Sequence, residues 1–199
     1  RDLPLCDRRQ RQMCIETAGW ELILIGALCV LFAFLYTTGP YPLSYKGWGD
    51  VLVIVFFGFV PVGGTYYVQA LNWTPNVTVA SLVCGLIVDT LLVVNNYRDR
   101  DADRKSGKKT VVVRFGESFG RYFYLLLGIT AAWLCFWFLF NGHLYATLLP
   151  QLYLFFHIRT WKKMVQIHSG KKLNSILGET SRNMLLMGIL LSIGLVING

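Results

Sequence analysis

Residues 51–88 read VLVIVFFGFVPVGGTYYVQALNWTPNVTVASLVCGLIV, without one Asp, Glu, Lys or Arg. A helix crosses the hydrocarbon core of a bilayer in about 20 apolar residues, so this run is long enough to cross twice. Its natural break is LNWTPN, residues 71–76, where Asn and Pro interrupt the apolar pattern and favour a turn. The run shows no period-two alternation of apolar and polar residues, which excludes the strands of a membrane barrel.

The same pattern extends in both directions. Residues 22–45, 122–158 and 183–199 also lack charge, and NGH at 141–143 divides the second of these. Six helices are predicted, at about 20–38, 51–70, 77–96, 121–140, 144–161 and 183–198. The fold class is all-α, a multi-span transmembrane bundle. Bulk composition agrees: of 199 residues 54% are hydrophobic and 15% charged, and mean hydropathy is +0.48, outside the range of ordinary soluble domains.

Side chains that often carry chemistry are scattered. The five cysteines, Cys6, Cys14, Cys29, Cys84 and Cys135, form no CxxC pair, and His143, His157 and His168 are unclustered, so neither set predicts a metal centre. The abundant aromatic residues are predicted to be mainly packing or lipid-facing groups.

Basic residues are not scattered. Eight of the 19 Lys and Arg fall in 97–121, six in 159–182, one at Lys46 and four in the first nineteen residues. With six spans, the loops after the first, third and fifth helices share a side, and the positive-inside rule makes that side cytoplasmic. These charges set the topology, and no nucleic-acid partner is expected. The same parity places Arg1, Arg8, Arg9 and Arg11 outside, against the rule. The first nineteen residues have neither a starting Met nor a signal-peptide pattern, so the chain is expected to be the C-terminal part of a longer membrane protein.

Between the third and fourth predicted spans stands NNYRDRDADRKSGKKT, residues 95–110, with three aspartates and six basic residues. If the third helix continues past the membrane surface, four-residue spacing puts Asn95, Asp99 and Asp103 on one stripe, successive members about 40° apart, with Asn96 beside it. Two carboxylates one turn apart and a carboxamide suit Mg²⁺, which takes oxygen ligands and keeps room for substrate phosphate. Arg98, Arg104, Lys105, Lys108 and Lys109 can neutralise a diphosphate, while Asp101 points away and can brace the helix by pairing with Lys105. The plainer reading is a solvated loop, and spacing alone does not decide between them.

The motif NNYRDRDADRKSGKKTVVVRFG resembles the second aspartate-rich motif of the UbiA-type intramembrane prenyltransferases, a DxxxD followed by Gly, Lys and Thr. The paired asparagines, the RD, the GKxT and the VVRFG ending, with YTTGPYPLSYKGWGDVLVIVFFG at 36–58, are most similar to the menaquinone-pathway branch. The resemblance implies an all-helical bundle of nine spans, of which six are present here, with two aspartate-rich motifs facing one another across a cavity. It also implies a first motif, NxxxDxxxD, which this chain lacks. The implied reaction transfers a polyprenyl group from its diphosphate to 1,4-dihydroxy-2-naphthoate with loss of CO2, in a bacterial plasma membrane. Carried over residue by residue, Asp99 and Asp103 are implied Mg²⁺ ligands with Asn95 adjoining and Lys108 on the diphosphate. Asn96, Arg98, Arg104, Lys109, Tyr41, Lys46 and Asp50 are implied substrate-binding residues. With half of a two-motif site, the isolated chain is expected to turn over negligibly.

Other readings compete. A sister enzyme would use another aromatic acceptor, against which the asparagine pair and GPYPLSY stand. A phosphatidyl-alcohol transferase would need a longer DG and AR pattern that is absent. A transporter or scaffold would bind no polyprenyl diphosphate in a metal-dependent way. Asp89, inside the third predicted span and seven residues before Asn96, faces a cavity, is a protonated packing group, or is a local substitution.

Overall fold

The computed structural model describes residues 19–37 and 43–197. Among them every regular element is helical, and the six predicted stretches are helical over their described residues except for a turn at Cys135–Phe136 that divides the fourth. Element α1 is Gly19–Thr37, followed by a short 3₁₀ turn at Leu43–Lys46. A continuous rod then runs as α2 (Gly49–Val53), a π-helical segment (Ile54–Gly63) and α3 (Gly64–Ala70). The long α4 spans Pro75–Lys105. After it come α5 (Val111–Phe115), α6 (Glu117–Leu134), α7 (Trp137–Phe140), α8 (Leu144–Ile167) and α9 (Leu173–Ile197).

Local chemistry sets the boundaries. Leu71 takes a left-handed conformation and ends α3; Thr74 then caps α4 by accepting from the Val77 amide at 3.4 Å, with Pro75 at the first helical position. Pro61 lies inside the π-helical segment, where its missing N–H and bulky ring disfavour an ordinary i to i−4 ladder. The apolar face of α4 continues beyond its charge-free part through Val93, Val94 and Tyr97 to Arg100, all buried. For that reason α4 ends at Lys105 rather than near 96.

Four helical stretches are long and apolar enough to cross a membrane: Gly49–Ala70, Pro75–Lys105, Glu117–Phe140 and Leu173–Ile197. Element α1 contributes a shorter apolar stretch, Ile23–Tyr36. In α8 the hydropathy is diluted by inward polar groups, among them Thr147, His157 and Thr160, all buried.

Element α4 is the hub. On one side it crosses the π-helical rod at close range: a Cβ on Gly85 would stand 2.8 Å from the Ile54 carbonyl oxygen, and one on Gly58 would strike the Ser81 carbonyl. Only glycine permits that approach. On its other sides α4 packs against α6 and α9, and α8 pairs with both α6 and α9. The core there holds buried Tyr97, Tyr124, Tyr153, Phe138 and Met187. The His157 imidazole is fully enclosed, its Nδ1 2.8 Å from the Tyr153 hydroxyl and its Nε2 3.1 Å from the Tyr124 carbonyl oxygen.

Candidate functional site

Hydrogen bonds bring three separated segments to one end of the bundle. The Lys109 amide donates to the Tyr45 carbonyl at 2.8 Å, Arg98 Nη1 donates to Asn174 Oδ1 at 3.0 Å, and Arg100 Nη2 donates to the His168 carbonyl at 3.1 Å. The loops around 45, 109 and 168–174 therefore share an end, as span parity predicts. Gly47 makes the first junction possible: its φ is +82°, and a Cβ there would lie 2.7 Å from the Lys109 carbonyl oxygen.

The stripe on α4 is occupied by an internal cation. Arg98 grips Asp99 bidentately, Nε to Oδ1 at 2.7 Å and Nη2 to Oδ2 at 2.6 Å, and Nη2 also donates to Asn95 Oδ1 at 2.7 Å. One guanidinium thus holds two of the three oxygen-bearing residues assigned to the metal. Asp103 is met differently. Its Oδ1 lies 3.6 Å from Lys108 Nζ, and its Oδ2 is buried with no hydrogen-bond partner among the described residues. Lys108 is fixed by its own amide, which donates to the Asp103 carbonyl at 2.9 Å after Gly107 turns the chain with φ +78°.

A small polar cavity opens beside Lys108. It is lined by Tyr36, Gly47, Gly49, Asp50, Asn96, Lys108 and Thr110. Asp50 is 7% exposed, its Oδ1 without a hydrogen-bond partner among the described residues, and Asn96 is 4% exposed. Asp89 is fully buried deeper in α4, and neither of its oxygens has a hydrogen-bond partner among the described residues. Asp50 and Asp89 are electrostatic neighbours of one another and of the Tyr36 hydroxyl, so two buried acids lie close together below the charged rim.

The structure thus brings together Asn95, Asn96, Arg98, Asp99, Asp103, Lys108 and Asp50. Arg104, Lys109 and Lys46 are exposed at the rim. Tyr41 lies outside the described residues. Asp101 and Lys105 are both exposed and form no ion pair among the described residues, so the expected brace is not made. The brace is instead Arg100, which sequence reasoning passed over. Buried at 6% exposure, it donates to the Tyr97 carbonyl at 2.7 Å and to Glu117 Oε2 at 3.2 Å. Glu117 in turn takes Arg121 and His168 Nε2, the latter at 2.8 Å. The available signal was spacing: Arg100 continues the buried face at Val93 and Tyr97.

Over residues 14–177 the chain matches the UbiA prenyltransferase family. It belongs to that family. Among curated relatives, the chain is 33% identical over 186 residues to the 1,4-dihydroxy-2-naphthoate octaprenyltransferase of Haemophilus influenzae, covering 87% of the chain and 56% of that protein. Octaprenyltransferases of the same description from Escherichia coli and Mycobacterium leprae are 41% identical over 108 residues and 43% over 117. These cover 53% and 58% of the chain, and 35% and 39% of the relatives. The chain spans about half or less of the length of these relatives. No solved structure matches it. Family and helices together make this chain a multi-pass membrane protein of the UbiA family.

Proposed function

We propose that this UbiA-type chain serves the transfer of a polyprenyl group from its diphosphate to 1,4-dihydroxy-2-naphthoate. The new C–C bond forms at the ring carbon bearing the carboxylate, the C–O bond to diphosphate breaks, and CO2 leaves as the ring regains aromaticity. No external oxidant or reductant is required, and the product is demethylmenaquinol. The observation that carries this reading is the convergence of Asp99, Asp103, Asn95, Asn96 and Lys108 at the mouth of the bundle, above a buried polar pocket. The relatives' names supply the acceptor and the prenyl group transferred to it.

The donor set fits a hard divalent cation, because Asp103 carries a buried oxygen without a partner and Asp99 and Asn95 present further oxygens one and two turns away. Mg²⁺ held there would neutralise the leaving diphosphate. The chain's own groups do the rest. Arg98, tied to Asp99 and Asn95, can exchange those oxygens for phosphate; Lys108 stands beside the cavity; exposed Arg104, Lys109 and Lys46 draw the anion to the rim. Charge developing on the allylic carbon is kept from water by the apolar bundle.

Binding of a polyprenyl diphosphate to the chain in nanodiscs, with Mg²⁺ and with EDTA, tests the reading. Metal-dependent binding that Asp99→Asn and Asp103→Asn each weaken by roughly tenfold or more is expected. Binding indifferent to metal and to both variants would favour a transporter or scaffold.

A further inference from the structure

A second charged cavity, of about 380 Å³, lies between α8 and α9 and is lined by Phe156, Arg159, Thr160, Lys163, Glu179 and Arg182. It carries three cations against one acid. Glu179 is already engaged, accepting from Lys163 Nζ at 2.5 Å and from the Thr160 hydroxyl at 3.2 Å. Thr160 itself accepts from Asn183 Nδ2 at 2.9 Å. Arg159 and Arg182 make no hydrogen bond and no ion pair among the described residues, and both are exposed. Two guanidinium groups from two helices thus border one cavity in which Glu179, already bonded to Lys163 and Thr160 and in the field of Arg182, is the one acid among the lining residues.

Their depth in the bundle is informative. Arg159 directly follows the charge-free run 122–158, and Arg182 directly precedes the charge-free run 183–199. Both therefore sit where the apolar span meets the charged end, and Arg98 bonded to Asn174 identifies that end as the one carrying the aspartate-rich motif. Away from the cavity, toward the other end, the same helices expose Leu152, Phe155, Leu185 and Ile189, at 58%, 66%, 64% and 46%. A cationic notch at the boundary with an exposed apolar strip below it matches a molecule with an anionic head and hydrocarbon tails.

The geometry points to a binding site for the phosphate of an anionic glycerophospholipid, held by Arg159 and Arg182 with its acyl chains along Leu152, Phe155, Leu185 and Ile189. Arginine suits the task because its planar fork pairs bidentately with phosphate oxygens, and basic notches between membrane helices favour anionic headgroups. Lys163, neutralised by Glu179, fixes one wall of the notch. This assignment uses none of the residues placed at the candidate active site and stands apart from the proposed reaction.

Native mass spectrometry of the chain released from nanodiscs of mixed phosphatidylcholine and phosphatidylglycerol tests it. Preferential retention of phosphatidylglycerol is expected, with apparent affinity lowered roughly thirtyfold in Arg159→Gln/Arg182→Gln and largely kept in Arg159→Lys/Arg182→Lys. Circular dichroism checks that each variant folds; if the glutamine pair does not, the preference in wild type and in the lysine pair decides. Equal retention of the two lipids, or retention unchanged in the folded glutamine pair, overturns the site. Inorganic phosphate is added as a competitor, and displacement of the lipid by low concentrations would show a site for soluble phosphate and overturn the lipid assignment.

Discussion

Asp99 and Asp103 are chemically alike and structurally different, and the difference predicts how each responds to mutation. Asp99 is held by the Arg98 fork, whereas Asp103 has only a 3.6 Å contact to Lys108 and an unpartnered oxygen. Arg98 would therefore compete with the proposed metal for Asp99 and Asn95. Removing it in Arg98→Gln is expected to tighten Mg²⁺ binding by roughly tenfold, the worth of a charge-assisted hydrogen bond, while weakening diphosphate. Calorimetric titrations of each ligand would separate the two effects, and weaker Mg²⁺ binding in the variant would contradict the competition. Asp101, exposed and unpaired, serves as the internal control: Asp101→Asn should leave both affinities within about twofold. Spacing along a helix made the Asn95, Asp99 and Asp103 stripe legible from sequence. It did not make legible that a neighbouring arginine fills the stripe, since rotamer choice depends on Asn174, a residue from the far end of the chain. Asp89 is a harder case, because its cost is plain and its purpose is not. A buried carboxyl with no partner destabilises the fold, so Asp89→Asn is expected to leave the thermal midpoint unchanged or raised. If the pocket with Asp50 and Tyr36 serves the acceptor, the same substitution made in a complete enzyme of the family lowers prenyl transfer. Undiminished transfer removes Asp89 from the site.

At the scale of elements, the junction between α4 and the π-helical rod positions Asp50 against Asn96 and Lys108. That junction depends on two glycines in contact with opposing backbone. Gly85→Ala would force its methyl to 2.8 Å from the Ile54 carbonyl oxygen, and a destabilisation of about 1–3 kcal/mol is expected, the usual cost of overpacking a close interface. Gly188→Ala in α9 meets nothing within 4 Å and should be neutral or stabilising by up to about 1 kcal/mol. Thermal unfolding in detergent compares the two, and equal midpoints would show that the junction tolerates more space than its geometry allows. Hydropathy was sufficient to place the six helices, because each run is long and its breaks carry Asn, Gly or Pro. It was insufficient for their ends. Residue Lys105 terminates α4 because Tyr97 and Arg100 stay buried against Glu117 and His168, contacts between residues well apart in the chain. The π-helical register is another tertiary outcome, marked in sequence only by Pro61.

At the scale of the whole molecule, charge and hydrogen bonding agree about which loops belong together. Fifteen of the 19 basic residues lie at 46 and within 98–121 and 159–182, and the Tyr45 to Lys109, Arg98 to Asn174 and Arg100 to His168 bonds tie those segments into one end. The opposite end carries the turns at Leu71–Trp73 and at Asn141–Gly142, which hold no charge; there Trp137 Nε1 donates to Asn76 Oδ1 at 2.9 Å. Such an asymmetry is what the positive-inside rule reads, since translocating a short loop rich in Lys and Arg is unfavourable. It was legible from sequence because it depends on counts per loop rather than on packing. The motif-bearing end is accordingly predicted to face the cytoplasm, where a soluble aromatic acid and Mg²⁺ would reach it. In a chain whose own cysteines are replaced by alanine, Ser106→Cys and Gly142→Cys report the two ends, both being exposed positions in turns. A membrane-impermeant maleimide applied to intact cells should label Gly142→Cys alone, and applied to inverted vesicles should label Ser106→Cys alone. The reverse pattern would put the rim proposed to bind diphosphate on the outer face and would overturn both the topology and the route proposed for the substrates.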